Sequence, residues 1–192
     1  MSDPWARFRA EPSHSDGEPP DLTPRAAAAS RTEISSVMQI AQANNDGNVH
    51  GGSIMRMVDE AAGIAAMRHA RRRVVTASMD DMSFLAPVYI GDLVMVRAMV
   101  NDAHRTSMEV GVRVDVENIA SEEWRYVASA HLVFVALDAD GRPTAVPPVL
   151  AVMDEEKRRQ QQARVRREQR LVRKRALDEA ARTKERETFD SH

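Results

Sequence analysis

The stretch Gly47-Asn-Val-His50-Gly51-Gly52-Ser-Ile-Met-Arg-Met-Val-Asp59-Glu60-Ala-Ala-Gly-Ile-Ala-Ala-Met-Arg-His-Ala70 stands apart from the rest of this 192-residue chain. Ile54, Met57, Val58, Ala61, Ile64 and Ala65 recur at helical spacing, and Met55, Ala62, Ala66 and Met67 place apolar groups on the opposite side as well. A helix that is apolar nearly all round is expected to be buried. Within it sit two carboxylates, Asp59 and Glu60, which are costly to desolvate unless they are paired or hydrogen-bonded. Two glycines, Gly51 and Gly52, open the helix, where unpaired N–H groups favour negative charge and a ligand can approach the backbone. Asp59 follows Gly52 by seven residues, roughly 10 Å along the axis, so a polarising N-terminus and a carboxylate are expected to share one cleft. That pairing suits attack on a carbonyl, with amides holding the developing oxyanion.

Downstream of this helix the periodicity changes to two. Met108, Val110, Val112, Val114 and Val116 alternate with Glu109, Gly111, Arg113, Asp115 and Glu117, which describes a strand with one buried and one wet face. Residues 74–85 begin with a similar alternation, setting Val75, Ala77 and Met79 against Thr76, Ser78 and Asp80, and Asp80-Asp81 breaks it as a β-bulge would. Residues 93–100 and 124–137 are β-rich, residues 102–105 read as a short hairpin connection, and residues 34–41 supply one more strand. The pattern predicts an α+β domain, an antiparallel β-sheet wrapped around one long central helix.

The ends differ from this body. Residues 1–30 hold five of the nine prolines and no apolar period, so they are expected to form a disordered N-terminal tail. Residues 151–192 are expected to form a charged helical C-terminal extension. From Met153 onward there are 13 Lys or Arg against 9 Asp or Glu, neither Gly nor Pro, and no sustained heptad. The domain proper is assigned to residues 31–150. Net charge is only −2, and the acidic residues of the tail dilute its basic ones, so nucleic acid is not an expected partner. Cysteine is absent, which excludes thiol catalysis, disulfides and cysteine-ligated metals. With no apolar run long enough to span a bilayer and no signal-like start, a cytoplasmic location is expected.

The segment from Asn44 to Glu60, with Val74-Val-Thr-Ala-Ser-Met79, Pro87-Val-Tyr-Ile-Gly91-Asp92 and His104-Arg-Thr-Ser-Met108, resembles the hotdog-fold acyl-CoA thioesterases, in particular the cytosolic acyl-CoA hydrolases. The resemblance covers about residues 31–148. It implies hydrolysis of acyl-CoA to the free acid and coenzyme A, without metal or other cofactor. It further implies a homodimer with active sites at the subunit interface, often assembled as a trimer of dimers. The family's catalytic carboxylate falls on Asp59, as general base or nucleophile, and its asparagine falls on Asn44. Backbone amides around Gly51 and Gly52 would hold the oxyanion. Arg105, Thr106 and Ser107, with Arg73 in a second cationic cluster, are the expected grip on the phosphates of coenzyme A, and Met55, Met79 and Met82 the adaptable lining for the acyl chain.

Each of these residues also has a plainer reading. Asn44 could cap its loop, Gly51-Gly52 could serve packing alone, Arg71 to Arg73 could be a solvated helix end, and Glu60 a paired or exposed neighbour. His50 is expected to shape its loop rather than act as a base. Two other functions compete with hydrolysis: a dehydratase acting on a hydroxyacyl thioester, and a non-catalytic acyl-CoA-binding module or sensor.

Overall fold

The computed structural model describes residues 19–190, with side chains through Ala181. A helix, α1 (Gly51–Ala70), lies across a five-stranded antiparallel sheet built from β2 (Thr32–Val37), β3 (Arg73–Phe84), β4 (Leu93–Ala103), β5 (Ser107–Asn118) and β6 (Glu123–Leu137). The strand order is β2-β4-β5-β6-β3, so β2 and β3 are the edges. A short parallel pair, β1 (Arg25–Ala26) with β7 (Val149–Leu150), closes one end, and a second helix, α2 (Asp154–Asp190), follows. Among the described residues no helix is long and apolar enough to cross a membrane.

The inward half of the period-two reading of β5 holds residue by residue, whereas the face expected to be wet does not, since Glu109 and Asp115 on it are buried. Met108, Val110, Val112, Val114 and Val116 are buried against α1, together with Val94, Val96 and Val100 of β4 and Ala128, Leu132 and Phe134 of β6. α1 contributes Ile54, Val58, Ala61, Ala62, Ala65 and Ala66. The alanines let the helix lie close to the sheet, and each fully buried larger apolar side chain contributes about 1.5–3 kcal/mol. His50 caps the helix, its Nδ1 accepting from the Gly52 N–H at 2.9 Å, and Arg71 ends it in the left-handed region at φ 53°. α1 is not buried all round: Met55, Arg56, Glu60, Met67 and Arg68 are exposed, because the sheet of a single chain covers only one side of it.

β3 departs from the expected pattern in an instructive way. Register shifts between Thr76 and Ser78 and between Met79 and Asp81 make Ala77 and Asp80 bulged residues. Each bulge resets the alternation, so Val74, Thr76, Met79, Met82 and Phe84 pair with inward-facing partners on β6, and Val75 turns outward with 45% of its surface exposed. The first half of β3 therefore presents the face opposite to the one its sequence suggests. β2 begins and ends earlier than expected, at Thr32 and Val37. Residues 40–42 form a 3-10 turn, and Gln39 and Gln42 close a reciprocal capping box.

Both flanks also differ from expectation. Residues 25–30, placed in the tail because of its prolines, are packed. Ala27 and Ser30 are buried, Ser30 Oγ accepts from the Val100 N–H at 2.9 Å at the β4 irregularity, and Arg25 donates to the His69 carbonyl at 2.8 Å. Residues 1–18 lie outside the described residues. α2 is helical as expected, and its first half docks on the sheet's outer face, burying Ala163 and meeting buried carboxylates there. Glu109, buried on that face, accepts from Arg166 at 2.6 Å and Arg170 at 3.1 Å. Asp102 accepts from Gln160 at 2.9 Å.

Candidate active site

Asn44 sits in the loop ahead of α1, and its side-chain oxygen does what an asparagine in a turn does. Oδ1 accepts from the backbone N–H groups of Asp46 at 2.9 Å and Asn48 at 3.0 Å. The loop is closed further by Asn44 N–H donating to the Asn48 carbonyl at 2.7 Å, and Gly47 takes the positive φ the turn requires, +80°. The capping reading of Asn44 is thus correct for its oxygen, and that bonding fixes the direction in which the amide Nδ2 can donate. Asn44 lines a cleft of about 400 Å³ with Asn48, Val49, Gly51, Ile54, Phe84, Leu85, Ala86, Pro87 and Val88. Apolar side chains line most of it, but polar and apolar atoms share its exposed surface about equally.

Asp59 does not line that cleft. It lies half-buried on the flank of α1 that faces β3, where Thr76 Oγ1 donates to its Oδ1 at 2.7 Å. The expectation that one helix would bring the glycines and the carboxylate into a single cleft fails within one chain: two turns of helix separate them along the axis, and Asp59 faces the open edge of the sheet. That edge is β3, which has no neighbouring strand on its outer side among the described residues and exposes Val75 and Phe84. A long edge of this kind is a template for pairing with another chain.

The glycines divide their roles. The Gly52 amide is already engaged by His50 Nδ1, and a side chain at Gly52 would meet that imidazole at 2.9 Å, so Gly52 serves the cap. Gly51 lines the cleft beside the Phe84 ring. Glu60, next to Asp59, is exposed and pairs with Arg56 at 3.7 Å.

The residues expected to hold coenzyme A lie elsewhere. Ser107 pairs with Val135 and Arg73 with Leu137, which puts residues 105–107 and Arg73 at the same end of the sheet as the α1 C-terminus. Arg105 and Arg73 are exposed, while Ser107 faces α2 and lines a small cleft with His104 and Arg167. Within one chain, α1 separates this cluster from Asn44 by most of its length of roughly 30 Å. Met79 and Met82 pack against the core and Met55 is exposed on the far side of α1, so they form no common lining. The cleft at Asn44 supplies other apolar residues. Thr76 was not anticipated. Its place in a Val-Val-Thr-Ala-Ser run reads as the wet face until the bulges are known, and the available signal was a hydroxyl opposite a helix carboxylate that needs a donor.

Comparison with known proteins bears on this geometry. The profile of the thioesterase superfamily matches residues 46–122. An uncharacterised acyl-CoA thioester hydrolase of Bacillus subtilis is 42% identical over 113 residues, covering 59% of this chain and 66% of that protein. The chain spans 36% of the human cytosolic acyl coenzyme A thioester hydrolase. An apo-hexameric acyl-CoA thioesterase superposes with TM-score 0.77 at 35% identity, over 79% of this chain and 97% of that one. The acyl-CoA hydrolase of Staphylococcus aureus, solved with butyryl coenzyme A and coenzyme A, superposes with TM-score 0.75 at 34% identity, over 81% of this chain and 95% of that one. Structures of the staphylococcal enzyme also exist with alanine replacing an asparagine, an aspartate or a threonine. Their spacing, fifteen residues and then seventeen, is that of Asn44, Asp59 and Thr76 here.

Proposed function

The chain belongs to the thioesterase superfamily, and from that premise we propose that it hydrolyses acyl-CoA thioesters to the free carboxylic acid and coenzyme A. The observation that carries this reading is Asp59, a carboxylate in the flank of an otherwise apolar helix, held by one hydroxyl, Thr76, and open toward the unpaired edge of the sheet. The thioester carbonyl would lie in the cleft, its oxygen toward the Gly51 N–H and its acyl chain among Ile54, Phe84, Leu85 and Val88. Thr76 occupies Asp59 Oδ1 and leaves Oδ2 to take a proton from water or to attack the carbonyl carbon. In the first route water adds to the carbonyl, the tetrahedral intermediate collapses, the C–S bond breaks and the thiolate leaves with the proton. In the second, Asp59 Oδ2 bonds to the carbonyl carbon as the C–S bond breaks and the thiolate leaves; water then hydrolyses the resulting anhydride, releasing the acid and restoring the carboxylate, and a proton from that water ends on the thiolate. Both routes balance with water alone, and no cofactor is invoked. Asn44 Nδ2 would orient the water or the carbonyl.

Because one chain keeps Asp59 out of the cleft that holds Asn44, we assign the working site to a homodimer joined along β3. Asp59 of the partner subunit then meets Asn44 and Gly51, and twofold symmetry creates two equivalent sites. Residues 105–107 and Arg73 would take the coenzyme A phosphates across the same seam. A trimer of dimers is the proposed assembly and the cytoplasm the proposed location.

Thiol release from acyl-CoA esters ranging from acetyl to palmitoyl tests the reaction. Saturable binding with no turnover would instead make the protein a non-catalytic acyl-CoA-binding module. Co-expressing Asn44→Ala with Asp59→Ala tests the shared site. Each variant alone should be inactive, and mixed dimers should recover about a quarter of wild-type activity, because half the dimers carry one intact site. Mixed dimers with no recovery would place the whole site within one chain.

A further inference from the structure

We infer that α2 beyond Arg170 is an arm that lies on the outer face of a second copy of this chain, across the β3 seam. The inference rests on the dimer proposed above. It starts from the path of the helix. Its contacts follow the strand order: Glu156 pairs with Arg31 beside β2, Gln160 and Arg164 reach Asp102 on β4, Arg166 reaches Glu109 on β5, and Arg170 bridges Glu109 to Asp80 on β3. α2 therefore crosses the sheet from one edge to the other and reaches the last strand at Arg170. The helix continues to Asp190, twenty residues or roughly 30 Å further, and among the described residues no strand lies beyond β3.

Its side chains from Val172 to Ala181 are exposed, Val172 at 64% and Leu177 at 61%. Val172, Ala176 and Ala180 recur every fourth residue, with Leu177 beside them, and Arg173, Lys174 and Arg175 form a basic run. The exposed outward-facing side chains of β3 are Arg73, Val75, Asp81 and Ser83, by their pairing with Leu137, Val135, His131 and Ser129. Among them Val75 offers the apolar stripe of the arm a partner, and Asp81 offers its basic run one. A sheet continued through β3 puts that surface of a second copy in the path of α2, and twofold symmetry makes the clasp reciprocal. Buried there, the apolar stripe gains packing that a helix of this composition lacks when isolated.

The chain has no cysteine, so Leu177→Cys in the full-length protein gives a single attachment point for a benzophenone photo-crosslinker. Labelled protein is mixed with isotopically heavy copies, irradiated and digested. The expected product joins residue 177 to a peptide within residues 73–85 of a different copy. Replacing Arg173, Lys174 and Arg175 with Glu should cut its yield several-fold. Links confined to one copy, links only between two arms, or no link in a protein that is dimeric by light scattering would overturn the arm and leave the dimer standing. A solution mass equal to the 21.4 kDa chain would overturn the dimer and the arm together.

Discussion

Toward α1 the sheet presents Val94, Val96, Val110, Val114 and Leu132; toward α2 it presents Asp102 and Glu109, which are buried too. One cover is held by apolar packing, which is non-directional, and the other by ion pairs whose partners must be placed one by one. The contrast extends to two carboxylates. Glu109, on the charged side, accepts from Arg166, Arg170 and Asn101. Asp59, on the apolar side, has Thr76 as its one hydrogen-bond donor among the described residues and is partly open. A carboxylate saturated with donors is held in place and has no oxygen left for chemistry, whereas one with a single donor keeps an oxygen available. The two should therefore fail differently.

The largest expected effect is on Asp59. Asp59→Asn preserves the shape and the bond to Thr76 but removes the base, and thiol release should fall by about 10²–10⁴, with the thermal midpoint little changed. Glu109→Leu should do the reverse. Removing one partner of a buried network strands Arg166 and weakens the Arg170 clamp, costing of order 3 kcal/mol by denaturant titration, while turnover per folded protein persists. Equal losses of activity and stability in both variants would break the distinction.

The same contrast separates what the sequence discloses from what it hides. Apolar periodicity is local, so α1, β4, β5 and β6 could be read directly from the spacing of Val, Met and Ala. The charged cover is not local. Glu109 and Arg166 lie on different elements far apart in the chain, and nothing in either neighbourhood announces the other. α2 therefore reads as a solvated helix. Residues 25–30 look like the rest of a proline-rich tail because their partners, Val149, His69 and Val100, are remote. Asn44 and Asp59, the residues of the proposed site, come from the family resemblance together with a carboxylate in an apolar helix. Thr76 was hidden by the two bulges, which reverse the faces of β3 and leave no compositional trace. Gly52 was assigned a ligand-facing amide that only the position of the His50 ring could deny it.

Acid should sharpen the contrast between the two faces. Burial lowers the His69 imidazole below its ordinary 6.5, although its contact with the Pro147 carbonyl opposes the shift, and burial also lowers His131 on the charged face. Each is favoured neutral in the fold, so the unfolded chain binds more protons below pH 6.5 and stability falls as pH drops through that value. Glu109 titrates later. Desolvation raises it, but Arg166, Asn101 and Arg170 together hold it below the ordinary 4.5. Its contribution is complete above 4.5 and is lost as pH falls through the lower folded value. Denaturation midpoints measured from pH 7.5 down to 3 should thus decline in two stages, and Glu109→Leu should remove the second. A single stage unaffected by that substitution would place the acid sensitivity elsewhere.

The smallest effect should come from the nearest neighbour. Glu60 is one residue from Asp59, on the same helix and with the same charge, yet about 100° around the axis, where it is half exposed and pairs with Arg56 four residues back. Such a pair on a helix surface contributes roughly 0.3–0.5 kcal/mol. Glu60→Gln should shift the thermal midpoint barely and leave thiol release within about twofold of wild type. A collapse in activity on that substitution, with folding intact, would mean that position on the helix face does not decide which carboxylate does the chemistry. Near-identity with wild type would tie the chemistry to the one carboxylate that faces both a hydroxyl and an open strand edge.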